Sequence, residues 1–181
     1  MELNTGVKTL FSIYRVLDKL AGSIDKMVKM KAFGCMVTRM ENLAFNGTLK
    51  VSEDINNLTN KKINLINLKI ITTNILKNID KDFARLIIMK YIENKKYLEI
   101  SETLHISTRT AIRWHNAGIK QSVYQLKKMS LPMEKIENIF QKEKWILSVY
   151  SNLATEMRAE NRKYNEFEIL NKACKEYKSL C

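Results

Sequence analysis

The sequence predicts an all-α fold, with a central helix-turn-helix flanked by long N- and C-terminal helices. Three observations predict it. Only five Gly and one Pro interrupt 181 residues, so long helices joined by short connections are favoured. Apolar residues recur at three- and four-residue spacing along most of the chain, the period of an amphipathic helix. Apolar residues make up 45% and charged residues 28%, the balance of a soluble globular protein with a real core rather than a disordered tail.

The first helix is expected over 8–32, where Leu10, Tyr14, Leu17, Leu20 or Ala21, Ile24 and Met27 or Val28 keep helical spacing. Gly34, Gly47 and "SEDINN" then predict a break across 33–56 with one short helix inside it. A second long helix follows over 57–79. Leu58, Leu65, Leu68, Thr72, Ile75 and Ile79 form its heptad stripe; Ile66, Ile70, Ile71 and Leu76 widen it, so burial against more than one neighbour is expected. Asp80 and Asp82 suit the start of a helix reading "KDFARLIIMKYIEN". Two shorter helices come next. Pro132, in "MSLPMEK", marks a hinge or a helix start. From 133 to about 179 the chain reads as helix, interrupted near 159–163, with a stripe of Ile136, Ile139, Ile146, Tyr150, Leu153 and Met157. These elements divide into an N-terminal arm for dimerisation or a partner (1–80), a helix-turn-helix domain (81–129) and a C-terminal helical region (130–181).

The net charge is +12, from 31 Lys and Arg against 19 Asp and Glu. Such an excess points to a polyanion or an anionic surface as partner. Residues 81–127 hold nine basic against four acidic residues, whereas 128–181 hold ten against eight, so the excess concentrates in the middle of the chain. No apolar run suits a signal peptide or a bilayer span; 63–76 comes closest, and Asn67, Lys69 and Asn74 interrupt it. Cys35, Cys174 and Cys181 are odd in number and scattered, which fits a reducing, cytoplasmic setting better than a disulfide framework.

The stretch "EISETLHISTRTAIRWHNAG" (99–118) can supply a supporting helix, a tight turn and a second helix with one face for the core and one for DNA. Leu98, Ile100 and Leu104 form the inward side of the first helix, and Ser101 allows a close helix approach. His105 and Ile106 make the turn, with Ile106 as its apolar plug. Ser107 is placed as N-cap of a helix over 108–120. On that helix Ala111, His115, Gly118 and Ser122, with Ile119, share one arc; Arg109, Ile112, Arg113, Asn116 and Lys120 share the opposite one. Arg can bridge guanine edges, Asn can pair with adenine, and an exposed Ile can touch a thymine methyl. Thr108, Arg109 and Lys120 can equally hold phosphate, which positions without reading sequence.

The segment "MKYIENKKYLEISETLHISTRTAIRWHNAGIKQSVYQL" (89–126) resembles region 4 of sigma-70-type factors, and is more similar still to phage-encoded regulators of the ArpU and RinA type. The matching residues are Lys90, Tyr91, Ile92 and Glu93, then Tyr97, Glu99, Ile100, Glu102, Leu104, Ile106, Ser107, Arg109 and Thr110. Asn94 stands where that pattern has Gly, Ser101 where it has Ala, Ala111 where it has Val, and His105 where the turn has Gly. The likeness covers about a quarter of the chain. It implies duplex DNA binding through 108–120 by a phage- or mobile-element-encoded transcription regulator, and admits an RNA polymerase contact. The first 80 residues lack the acidic and aromatic pattern of a complete sigma factor.

No catalytic chemistry is expected. The two histidines, His105 and His115, both lie inside the motif without further metal ligands, and His115 reads as a packed core residue. Cys35 has no evident base, and neither a Gly-rich phosphate loop nor a paired-carboxylate motif is present. Trp114 packs on the helix flank or stacks on a sugar or base; Lys95 and Lys96 touch phosphate or form a solvated turn. The expectation is therefore a sequence-specific regulator without cofactor or metal, cytoplasmic and nucleoid-associated, a homo-oligomer with a dimer expected. Its DNA-binding residues are Ser107, Thr108, Arg109, Ile112, Arg113, Asn116 and Lys120. The alternatives are a sigma-like factor that acts only with polymerase, and a small-terminase-like DNA-packaging subunit.

Overall fold

The structure is a computed structural model describing residues 2–40, 45–129 and 133–158, with side chains described over 2–34, 49–129, at Glu134 and over 136–155. Among the described residues there are seven helices and no strand: α1 (Leu3–Met40), α2 (Phe45–Asn78), α3 (Lys81–Ile87), α4 (Tyr97–Leu104), α5 (Thr108–Lys128), α6 (Met133–Lys142) and α7 (Lys144–Arg158). None of these helices is long and apolar enough to cross a membrane.

The chain forms two compact units. One comprises 16–69; the other joins 1–15 to 70–181. In the first turns of α1, Thr5, Gly6, Val7, Thr9, Leu10, Phe11, Ser12 and Ile13 are all buried, so this stretch is covered on nearly every side. Thr9 survives there because its hydroxyl donates to the Thr5 carbonyl at 2.8 Å. Phe11 meets the Tyr91 ring at 5.8 Å, and the Glu2 amide donates to the Tyr150 hydroxyl at 2.9 Å.

The 16–69 unit consists of parts of α1 and α2, with Leu17, Leu20 and Ile24 buried on one and Leu58, Leu65 and Leu68 on the other. Each such side chain contributes about 1.5–3 kcal/mol on burial. Both helices are longer than expected. Gly34 does not end α1, and "SEDINN" is helical rather than a break. A Cβ at Gly34 would meet nothing within 4 Å, and one exposed Gly weakens a helix by only about 1 kcal/mol. Asp54, inside "SEDINN", is held by Lys31 at 2.7 Å, a tertiary contact that local propensity does not contain. Lys31 also holds the Asp54 carboxyl below its usual pKa, first by its hydrogen bond and then by its charge. The stripe on α2 is narrower than predicted. Ile71 is buried, but Ile66 is 40% exposed and Ile70 also faces outward.

In the other unit Asp80 caps α3, its carboxylate accepting from the Asp82 amide at 2.9 Å. The helix continues as a π-helical turn over Ile88–Ile92, where Glu93 donates back to the Ile88 carbonyl at 3.0 Å. Asn94 then reverses the chain with φ 56°, the left-handed conformation that Asn tolerates best after Gly. The helix expected from 133 to an interruption near 159–163 is already broken at Glu143, which separates α6 from α7. Ile136, Phe140, Trp145, Ile146, Val149 and Leu153 form the buried side of that pair. Pro132, the interruption near 159–163 and the side chain of Met157 lie outside the described residues.

Candidate nucleic-acid interface

The candidate interface is built on a small core. Leu86, Met89, Ile100 and Ala111 are buried together, with Tyr97, Leu104, Ile106 and Trp114 packed against them. Leu98 departs from expectation: it is 62% exposed, and Tyr97, one position earlier, provides the inward contact instead. Helix α4 begins with the Lys96 amide donating to Glu99 Oε2 at 2.9 Å. It ends at His105, whose φ of 53° and ψ of 41° are left-handed. The Ile106 amide reaches back to the Ser101 carbonyl at 3.0 Å and the His105 amide to Glu102 at 3.3 Å, the paired bonds of a Schellman turn. Ile106 then packs against the cluster that holds Ile100, in keeping with the apolar contact such a turn uses. His105 therefore does the work of the usual turn glycine, at the strain cost of a Cβ in the left-handed region.

Ser107 caps α5, accepting from the Thr110 amide at 3.1 Å. Ser101 is buried; its hydroxyl donates to the Leu98 carbonyl at 2.7 Å and lies 3.3 Å from the Thr108 hydroxyl across the turn. Further along, a Cβ at Gly118 would sit 3.0 Å from Ile87 Cδ1 and 3.1 Å from Phe83 Cβ, so α3 and α5 approach more closely there than a side chain permits. Ala111, His115, Gly118, Ile119, Ser122 and Leu126 form the buried face of α5.

His115 ties this face to the core. Its Nε2 lies 3.0 Å from the Tyr91 hydroxyl and its Nδ1 lies 3.4 Å from Asn116 Oδ1. One tautomer satisfies both contacts: Nδ1–H donates to Asn116, and Tyr91 donates to Nε2. Burial pushes the imidazole pKa down from 6.5 to about 4, and the charges of Lys8 and Lys90 push the same way against the Asn116 hydrogen bond. The ring is neutral at physiological pH. Trp114 is half-buried, with its ring 6.0 Å from Phe83 in an edge arrangement, the flank-packing role. Lys95 pairs with Glu93 at 2.8 Å, while Lys96 is exposed.

All seven expected interface residues are exposed: Ser107, Thr108, Arg109, Ile112, Arg113, Asn116 and Lys120. Ile112 is 43% exposed between two arginines. Arg109, Arg113 and Lys120 form no ion pair with a described carboxylate. Two features escaped the sequence reading. Tyr124, Lys127 and Lys128 are exposed and prolong the face beyond Lys120, a continuation visible in the four- and three-residue steps from Lys120 to Tyr124 and Lys127. Asn116, expected to pair with adenine, shares its oxygen with His115, which only the tertiary contact shows.

A separate groove of about 620 Å³ has Ile79, Ile88 and Met89 among its lining residues, along with the cations Lys77, Lys81 and Arg85. Among the described residues, no group of three or more His, Cys, Asp or Glu could hold a metal ion. No protein-family model, no curated protein and no solved structure matches the chain.

Proposed function

We propose that the chain is a DNA-binding transcription regulator in which α4, the turn and α5 act as a helix-turn-helix of the sigma-region-4 kind. One observation carries the reading. A helix fixed in the core along one face presents on the other Arg109, Ile112, Arg113, Asn116 and Lys120, exposed and with the cations unpaired by described carboxylates. Arginines on a merely solvated face do not need an apolar residue held between them. On a face that reads bases, an Ile there meets a thymine methyl while the guanidinium groups reach guanine O6 and N7. Thr108 and Lys120 hold the backbone, together with Tyr124 and Lys127 where the helix, about 30 Å long, runs out of the groove.

The test is selection of random duplex DNA by the purified chain at near-physiological salt, followed by sequencing. A sharp motif is expected. A flat result would overturn autonomous sequence recognition and move the function to a factor that needs RNA polymerase or to DNA packaging. In the packaging case, light scattering would show a ring-sized assembly.

A further inference from the structure

We infer that His115 fixes the amide of Asn116 as a pure hydrogen-bond donor, so that α5 reads guanine at that position rather than adenine. This rests on the DNA reading above and adds to it the base that is chosen and the buried residue that chooses it.

Adenine makes demands on both ends of an Asn amide. The oxygen must accept from the N6 amino group while the nitrogen donates to N7, so both ends face the base edge together. Asn116 is exposed, but its Oδ1 lies 3.4 Å from His115 Nδ1. His115 is buried on the core face of α5, so the oxygen end of the amide is turned back toward the protein. The nitrogen end is left facing outward.

The ring that holds the oxygen has little room to let go. Its centroid is 5.7 Å from that of Tyr91, and Tyr97 meets it edge-on at 5.8 Å. The Tyr91 hydroxyl stands 3.0 Å from Nε2. A ring flip would put C–H groups where both nitrogens now meet their partners. Burial keeps the imidazole neutral, with its pKa lowered to about 4, so it has one N–H to give. The Asn116 oxygen can only accept, whereas the Tyr91 hydroxyl can donate to Nε2, so the proton belongs on Nδ1. Turning the amide over to suit adenine would leave that buried N–H without a partner, at the cost of its desolvation.

Two outward N–H groups and no acceptor suit one base best. Guanine shows two neighbouring acceptors, O6 and N7. Thymine shows one, O4; adenine sets its N6 donor against the amide; cytosine offers only its N4 donor. The other polar members of the arc, Arg109, Arg113 and Lys120, are donors as well, so nothing on it receives the amino group of adenine or cytosine.

Two measurements test this, one of them without DNA. NMR of the His115 ring nitrogens in the isotopically labelled full chain should show the Nδ1–H tautomer. In selection of random duplexes, Asn116→Ala marks its base pair as the position whose preference disappears. The wild type should take guanine there over adenine by about tenfold or more. Tyr91→Phe/His115→Phe removes both buried partners together, orphans neither, and should fold with unchanged helicity. Asn116, its oxygen released, should then gain about tenfold for adenine relative to guanine at that pair, with the rest of the motif unchanged. An Nε2–H tautomer overturns the proposal. So does adenine or cytosine at that pair in the wild type, an Asn116→Ala motif identical to the wild type's, or a double variant that keeps the guanine preference. A selection without any motif overturns the DNA reading and the base assignment with it; the tautomer then decides separately whether His115 holds the Asn116 oxygen.

Discussion

Lysines in the 16–69 hairpin and arginines on α5 carry the same charge and are used in opposite ways. Lys31, Lys62 and Lys69 lie 2.6–2.7 Å from Asp54, Asp25 and Asp18, each pair linking α1 to α2. Arg109 and Arg113 meet no described carboxylate and stand on either side of an exposed Ile. A cation bound to a carboxylate of its own chain sets the register of two helices and has little left for a ligand. A cation left unpaired on a rigid helix keeps its full charge for a polyanion. The lesson is that a net charge of +12 does not say which cations are already paired within the chain; the structure does.

Acid should break this contrast from the α5 side first. His115 is neutral when folded, and its pKa lies at about 4 against 6.5 when unfolded. Its contribution is therefore complete above 6.5 and is lost as pH falls towards 4, about 3 kcal/mol in all. Asp54 has a lowered pKa, so its pairing persists above its ordinary value of 3.8 and is lost only as pH falls further. Thermal melts across this range should show wild-type stability falling between pH 6.5 and 4, and His115→Gln should flatten that dependence. Equal pH dependence in both proteins would place the titrating group elsewhere.

The α5 face offers the next comparison. Arg113→Ala should cost about 1–3 kcal/mol at one base pair and relax preference there, measured by competition between selected duplexes. Equal weakening on every sequence would make Arg113 a phosphate contact. Lys120→Ala should instead weaken binding to all sequences alike and reduce the salt slope of the binding constant by about one. The smallest effect belongs to the hairpin. Lys69→Ala removes a pair whose lysine is 36% and whose aspartate is 71% exposed, so it should cost about 0.2–1 kcal/mol of stability and leave DNA affinity unchanged. A large loss of DNA binding there would end the distinction between structural and functional cations.

Much of this was legible in the residues. The periodicity marks Leu17, Leu20, Leu65 and Leu68 as core, and Asp80 and Ser107 as caps, because amphipathicity and capping are local. The exposed arc of α5 follows from the 100° step between residues once the buried arc is known. Helix ends were less legible. The sequence predicts a break over 33–56, because Gly34, Gly47 and "SEDINN" have weak helix propensity, and the Lys31–Asp54 contact lies far away in sequence. Leu98 and Ile66 were misplaced for a related reason. Hydrophobicity says that a side chain prefers burial, not that a neighbour is present to bury it.

By itself, then, the sequence determined the all-helical class, the Ser107 cap and the turn before it, and which α5 residues share a face. These depend on spacing, side-chain type and backbone preference within a few turns. Only the tertiary structure decided that the first turns of α1 are buried on nearly every side, that His115 is buried against Tyr91 and takes up the Asn116 oxygen, and which cations are neutralised. Burial and ion pairing depend on residues tens of positions away, and no local pattern encodes their distance.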